Sequence, residues 1–281
     1  MARGSTYLRF VLVGMLTATA LAAISPASAG PPLHTRDAGP LHRAPTRSAA
    51  EPATGVSDTS DSRESFTVQC AYTRSLSDDP IVFPNQSGSS HLHDFFGNRT
   101  VDAFSTYASL LNQPTSCAND DDTAGYWAPA VYLNGLKIQP MNLRAYYSEK
   151  VAVTQPFPPG LGMVAGNSKA VGPQSVNRVY FGCGNGTGIS KVNYAPNCAG
   201  TDGTFTVHVI FPTCLDPQTN AVAYEPCPAG YTTTLPQLTE RIMYPIQDAR
   251  AVMLASGPLY TFHADFYNSW NQEALRRLLH G

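Results

Sequence analysis

Charged residues are scarce in this chain, and no basic stripe runs along any part of it. Charged side chains make up 14% of the 281 residues, and the formal net charge is -2. A protein that follows the phosphates of a nucleic acid needs such a basic stripe or patch. Nucleic acid is therefore not an expected partner.

Several motifs of known chemistry are missing, and so is any apolar run long enough to anchor the mature protein. The sequence has no Cys-x-x-Cys pair and no Gly-x-Ser-x-Gly, Walker or dinucleotide-binding pattern. Its one long apolar run, Phe10–Ile24, follows Arg3 and Arg9 and precedes small residues, the layout of a secretory signal peptide. We expect residues 1–29 to be this signal, the protein to be secreted, and the mature chain to have no membrane span.

Large apolar residues are nearly absent from residues 30–63, which consist mainly of Pro, Ala, Ser, Thr and Arg. Such a segment cannot bury enough apolar surface to offset the entropy that it would lose on ordering. It is predicted to be a disordered linker. Residues 64–281 are long enough for a single domain with a substantial core.

The six cysteines fit an exported protein that is stabilised by disulfides. The two later pairs of neighbouring cysteines bracket short loops rich in turn residues, which favours bridges between nearest neighbours. The predicted bridges are Cys70–Cys117, Cys183–Cys198 and Cys214–Cys227.

Short strands separated by turns dominate the domain, because 23 prolines and 22 glycines interrupt the apolar runs. The dipeptide Asn134-Gly135 between two apolar runs is a strong signal of a β-hairpin. The fold class expected is an antiparallel β sandwich with long loops, disulfides and a few short helices, here Ala103–Leu111 and Asn271–Leu279. The predicted strands are Ala130–Ile138 (the hairpin), Leu143–Ser148, Arg178–Gly182, Phe205–Phe211, Arg241–Tyr244 and Leu259–Phe266.

Two remote segments place ionisable side chains two residues apart. His91 and His93 form one pair, and His263 and Asp265 form the other. Residues at this spacing in a strand project to the same face. The alternation also turns His263, Asp265 and, on another strand, His208 away from the apolar face, which predicts a solvated cleft floor.

A cluster of these residues would hold a metal ion or move a proton. In the metal-binding version His91, His93 and His263 are ligands of one divalent, zinc-like ion, and no other cofactor is expected. Asp265 or Asp94 then orients a ligand or acts as general base. In a metal-free version a histidine is the base and a carboxylate tunes it. The candidate catalytic residues are His93, Asp94, His208 and Asp265, and the alternative is that all these residues are separate structural features.

Aromatic residues offer a second kind of candidate. Tyr126, Trp127 and Trp270 would supply flat surfaces for binding sugar rings, although packing in the core is the more common use of such side chains.

Several segments together resemble a known family. They are Asp79–Pro84, Ser90–Asn98, Tyr126–Ala130, Phe157–Met163, Ile210–Pro212 and His263–Trp270. Over nearly all of residues 65–280 the chain is similar to the domain of unknown function numbered nineteen-ninety-six, which occurs in secreted actinobacterial and fungal proteins. In fungi this domain is often joined to WSC modules, so the resemblance implies an association with cell-wall or extracellular polysaccharide.

The chain departs from the family pattern at residues 213–228. Family members usually carry a longer stretch there with an Asp-His-x-x-His-like segment, whereas this stretch is short and contains no histidine. If those histidines complete the site in relatives, this protein is a weakened or non-catalytic version.

Together these features predict a secreted protein that acts on or binds extracellular polysaccharide through a His/Asp cleft. The reaction would be hydrolysis or elimination, with or without a metal ion. The alternatives are a carbohydrate-binding module without turnover and a cell-surface protein that recognises other proteins.

Overall fold

The structure, a computed structural model, describes residues 65–149, 155–184 and 189–280. The predicted signal peptide and linker lie outside these residues. Within them the chain forms mostly short strands, together with two α-helices, α1 at Tyr107–Leu110 and α2 at Gln272–His280. The strands are β1 Ser65–Cys70, β2 Tyr72–Leu76, β3 His93–Gly97, β4 Gly125–Pro129, β5 Val131–Leu133, β6 Leu136–Ile138, β7 Asn142–Ser148, β8 Gly162–Gly166, β9 Val179–Cys183, β10 Phe205–Ile210, β11 Cys214–Leu215, β12 Val222–Ala223, β13 Thr233–Thr234, β14 Gln237–Tyr244, β15 Val252–Leu254, β16 Gly257–Pro258 and β17 His263–Tyr267.

Two five-stranded antiparallel sheets make up the body of the protein. The first sheet has the strand order β1-β7-β14-β10-β9, and the second sheet has the order β2-β3-β4-β17-β8. Two smaller sheets, β12-β11-β13 and β16-β15-β5-β6, flank them. The predicted antiparallel β sandwich is confirmed. Among the described residues, no helix is both long enough and apolar enough to span a membrane.

The core lies between the two large sheets, where the alternating apolar residues of both meet. Phe205, Val207 and Val209 of β10 are fully buried there, as are Ala264 and Phe266 of β17. Each large apolar side chain buried in this way contributes about 1.5–3 kcal/mol relative to an exposed one. The other face of each sheet points away from this core and is called its outer face below.

Local chemistry fixes the connections as predicted. Asn134 and Gly135 have φ angles of 52° and 80°, the left-handed values that a tight two-residue hairpin requires. All three predicted disulfides are present. The long separation of Cys70 and Cys117, 47 residues, makes that bridge a tie between β1 and the loop before β4.

Two predicted elements are shorter than expected. The segment Leu259–Phe266 is not one strand, because Leu259–Thr261 forms a 3-10 turn before β17 begins. The Thr261 hydroxyl donates to the carbonyl of Pro258 at 2.8 Å and closes that turn.

The helix predicted over Ala103–Leu111 is reduced to α1. The side chain of Asp102 accepts a hydrogen bond from the backbone N–H of Phe104 at 2.9 Å, which favours a turn over a helix. At the other end of the chain, α2 begins one residue later than predicted, since the side chain of Asn271 caps it by accepting from the N–H groups of Glu273 and Ala274.

Candidate functional site

The register of the second sheet brings the two remote histidines side by side. Trp127 of β4 pairs with Phe95 on one side and with Asp265 on the other. β3 and β17 run in the same direction because both are antiparallel to β4. His93 and His263, each two residues before these partners, therefore share the next row on the same face. This face points away from the sandwich core.

The loop between β2 and β3 covers this outer face. The carboxylate of Asp78 accepts hydrogen bonds from the Ser87 hydroxyl and the Gly88 N–H at 2.9 Å and from the Ala103 N–H at 3.2 Å. The next residue, Asp79, accepts from two further N–H groups of its own turn at 2.9 Å. The loop is thereby folded back over the sheet, and it places Asp79 beside the histidines.

Three imidazoles meet beneath this loop. The ring centroid of His91 lies 4.2 Å from that of His93 and 5.0 Å from that of His263, and the last two are 5.8 Å apart. One ligand atom from each of the three lies within 4.8 Å of the other two. The predicted convergence of the two segments at one place is what the structure has.

Hydrogen bonds to backbone carbonyls orient two of the rings. Nδ1 of His93 lies 3.1 Å from the carbonyl oxygen of Asp78, and Nδ1 of His263 lies 2.9 Å from that of Thr261. A carbonyl only accepts, so each Nδ1 carries the proton and each Nε2 keeps a lone pair. Such anchoring is typical of histidines that bind metals. Among the described residues, the buried Nε2 atoms of His91 and His93 have no hydrogen-bond partner.

Two carboxyl groups adjoin the imidazoles. Asp79, His93 and Asp265 form a second group whose ligand atoms lie within 4.8 Å of one another. Asp265 is fully buried, and neither of its carboxylate oxygens has a hydrogen-bond partner among the described residues. A buried polar atom without a partner costs about 1–3 kcal/mol, and more if charged, so these oxygens mark Asp265 as a candidate ligand-binding group.

Burial keeps both kinds of group neutral. It lowers the pKa of His93 well below its ordinary value, and the neighbouring His91 and His263 lower it further. Burial likewise lowers the pKa of His263 to about 4. In the opposite direction, burial and then the charge of Asp79 raise the pKa of Asp265 well above its ordinary value. At neutral pH each of these histidines is therefore a neutral imidazole, with one N–H group and one nitrogen that offers a lone pair.

A pocket of about 360 Å³ leads from the surface to this cluster. His91, His263, Asp79 and Asp265 line its wall, while the exposed Lys169 lies on its rim. The volume is that of a small-molecule site. The predicted solvated cleft floor is wrong in one respect, because the covering loop buries His263 and Asp265 to 3% and 0% exposure.

The structure separates His208 from this cluster. Its strand, β10, belongs to the first sheet, and its ring stacks on Tyr180 at 4.3 Å. It lines a different pocket, together with Arg241. The alternation of β10 correctly places His208 away from the core, but that outer face is not the one that carries the three histidines. It is therefore not part of the cluster.

Asp94 is also turned away from the histidines. It follows His93 directly in β3, so it projects to the opposite face of the sheet. There it accepts a hydrogen bond from the Ser75 hydroxyl at 2.6 Å and pairs with the Lys137 ammonium at 2.7 Å. Of the two predicted carboxylates, only Asp265 reaches the cluster.

The three aromatic residues predicted to bind sugars are fully buried. Trp127 stacks on Phe95 at a centroid distance of 5.5 Å, under the covering loop. Trp270 donates from Nε1 to the hydroxyl of Tyr147 at 3.1 Å, inside the sandwich core. None of the three rings offers a face to a ligand in this structure.

Tyr126 belongs to the same buried network as Trp270. Its hydroxyl meets that of Tyr147 from the facing sheet and lies 2.8 Å from a carboxylate oxygen of Asp122. The hydrogen bonds thus form a series from Trp270 through Tyr147 and Tyr126 to Asp122. This series of hydrogen bonds gives the polar group of each of these side chains a partner and joins the two sheets.

Sequence reasoning missed Asp79 as a member of the site. It lies 12 residues before His91 along the chain, in a loop with no periodicity to show its direction. Its occurrence in a segment that carries the family resemblance, Asp79–Pro84, was the only available signal.

Comparisons with known proteins identify the family of the chain. Among curated proteins and among solved structures, nothing matches it. The family model described as "Domain of unknown function (DUF1996)" matches residues 79–270, which include every member of the histidine cluster. The match extends over more than half of the chain, and the chain therefore belongs to the DUF1996 family.

Proposed function

We propose that His91, His93 and His263 bind one divalent, zinc-like metal ion and that the site acts on extracellular polysaccharide by hydrolysis or elimination. The metal proposal rests on the Nε2 atoms of these histidines, which keep lone pairs for a metal ion. The Nδ1 atoms of His93 and His263 are tied to carbonyl groups, while the buried Nε2 atoms of His91 and His93 face a site with no partner among the described residues.

The charge balance of the pocket also favours a cation. Three neutral imidazoles and two carboxyl groups share a small buried volume, and the nearest cation of the pocket lining, Lys169, is exposed on the rim. A buried carboxylate needs a partner charge or must stay protonated. A divalent ion would satisfy the imidazoles and would allow Asp265 to ionise. Imidazole ligands suit zinc and other borderline transition metals.

Three protein ligands leave a coordination position for water or substrate, as in catalytic zinc sites. A metal ion held by the three histidines would supply a Lewis acid. Asp265, with two unpartnered oxygens, is suited to accept a proton from the attacking water or from the sugar. Asp79 has one oxygen held by two N–H groups and is better suited to orienting its neighbours.

A second function is favoured by the same carboxylate. A carboxylate oxygen of Asp265 lies within 4.8 Å of a ring nitrogen of His93, which would allow Asp265 to serve as a fourth ligand. Four protein ligands close a zinc site and make it structural. The protein would then be a binding module without turnover.

The metal content of the purified protein tests the proposal. Elemental analysis should find about one zinc-like ion per wild-type chain and almost none in the His93→Ala variant. The matched control is His280→Gln, which removes an exposed histidine of α2 that pairs with Glu149. The control should retain the metal, and a wild-type protein that takes up no metal from a metal-supplemented buffer would overturn the metal site.

A polysaccharide panel then separates the two functions. New reducing ends indicate hydrolysis, and products that absorb as unsaturated sugars indicate elimination. Either should appear with the wild-type protein and disappear with Asp265→Asn. A metal-loaded protein that binds a polysaccharide but releases no product would support the binding module instead.

A further inference from the structure

The outer face of the first sheet carries a second surface, on the other side of the sandwich from the histidine cluster. A row of polar side chains crosses the five strands there, because each member pairs with the next in the register of the sheet. The members of this row are Tyr180, His208, Arg241, Arg144 and Gln69. All lie on the face opposite to the core residues of the same strands.

Two pockets lie side by side on this face. The first, of about 420 Å³, is lined by Tyr146, Tyr180, His208 and Arg241, among others. The second, of about 610 Å³, continues from it along β10 and β14. Lys191 lines both. We call the two together the cationic groove.

The length of the groove suits a polymer. It extends from Thr206 of β10 in the first pocket to the end of β10 at Ile210 and the next residue, Phe211, in the second. Five residue steps along a strand span roughly 17 Å at about 3.3 Å each. A surface of this length accommodates several linked units rather than one small molecule.

The groove is rich in positive charge. Arg178, Lys191 and Arg241 line it. Among the residues that the structure describes, no acidic side chain lines its first pocket, while Glu225 lines the second. Burial and then the charge of Arg241 lower the pKa of His208 to about 3, so the charge of Arg241 reaches the ring beside it. In a chain with a net charge of -2, this concentration of cations is local.

Flat rings accompany the cations. Tyr180 and His208 are stacked with an angle of 12° between their planes, and both remain partly exposed. In the second pocket the guanidinium of Arg178 lies 3.1 Å from the centroid of the Tyr224 ring. Aromatic rings favour the apolar faces of sugars, and guanidinium and ammonium groups favour carboxylates.

We propose that the cationic groove binds a polysaccharide that carries carboxylate groups, that is, a polymer of uronic acids. Charge complementarity and the pairing of cations with rings support this occupant. The inference rests on the proposed polysaccharide partner but not on the metal ion. It would also make elimination the favoured reaction, because the proton next to a uronate carboxylate is the acidic one that a base can remove.

Calorimetric titration with oligogalacturonate tests the proposal. Lys191→Glu reverses an exposed charge shared by both pockets and should weaken binding at least about tenfold, the order expected for losing a hydrogen bond to a charged group. The matched control is Arg276→Glu, an exposed charge reversal on α2, which should bind as the wild type does. A second variant, Arg178→Gln, should weaken binding in the second pocket in the same direction.

Competing ligands identify the occupant. A neutral glucan of equal length, a poly(glycerol phosphate) and a single-stranded oligonucleotide should each bind more weakly than the uronate. Tighter binding of any of these, or equal binding by wild-type protein and Lys191→Glu, would overturn the proposal. The His93→Ala variant should still bind the uronate, so loss of the metal site and failure of the groove give different results.

Discussion

Asp122 provides a sharp test of how burial controls charge in this fold. The residue is fully buried and ends the chain of hydrogen bonds that begins at Trp270. Burial raises its pKa from the ordinary 3.8 to about 8, although hydrogen bonds from Tyr126 and Ala124 oppose the rise. The folded protein therefore keeps a proton that the unfolded chain releases near pH 4.

The sign of the effect follows from this difference. The stability that the proton contributes is present below the unfolded pKa and is lost as the pH rises towards 8. At about 1.36 kcal/mol per pKa unit, the loss attributable to Asp122 amounts to about 5 kcal/mol between pH 4 and pH 8. The side chain of Asp122→Asn cannot ionise. Between pH 4 and pH 8 the free energy of unfolding of this variant should therefore fall by about 5 kcal/mol less than that of the wild type.

Urea unfolding at a series of pH values measures the slope for both proteins. Asp120→Asn is the matched control, since it removes an exposed carboxylate from the same loop and should leave the slope unchanged. If Asp122→Asn keeps the wild-type slope, burial does not hold this carboxyl group protonated, and the reasoning fails.

Three further predictions concern the fold and the site. Gly166→Ala should lower stability by about 1–3 kcal/mol and reduce metal uptake. The reason is that Gly166 has a φ of 84° and an added Cβ would lie 2.8 Å from Cα of His263. Thermal unfolding measures the first effect, and elemental analysis measures the second. Replacing Cys214 and Cys227 by serine should cost about 3 kcal/mol in chemical denaturation, since the bridge closes a 13-residue separation. Removal of metal by a chelator should lower the melting temperature of the wild-type protein, and added zinc should restore it, whereas His93→Ala should respond to neither.

Much of the fold follows from local chemistry that the sequence displays. Asn134 and Gly135 fix a hairpin because few other pairs tolerate its backbone angles. The disulfides join nearest neighbours because the loops between them are short. The limits of Leu259–Phe266 were less visible, since hydrogen bonds within the turn, such as that from the Thr261 hydroxyl to the Pro258 carbonyl, leave no alternation in the sequence.

The candidate site was predictable only in part. The spacing of His263 and Asp265 places both on one face, which the structure bears out, but spacing does not say what covers that face. The loop anchored by Asp78 does so, through hydrogen bonds between residues that show no sequence pattern. For His208, alternation gives the face within a strand and not the sheet to which the strand belongs.

Asp78 serves the loop and the histidine cluster with different atoms. Its carboxylate fastens the covering loop, and its carbonyl oxygen sets the orientation of the His93 ring. The covering loop and the His93 ring are therefore both held in place by a single residue, Asp78. An insertion or deletion in this loop should therefore change the orientation of the His93 ring together with the cover above it.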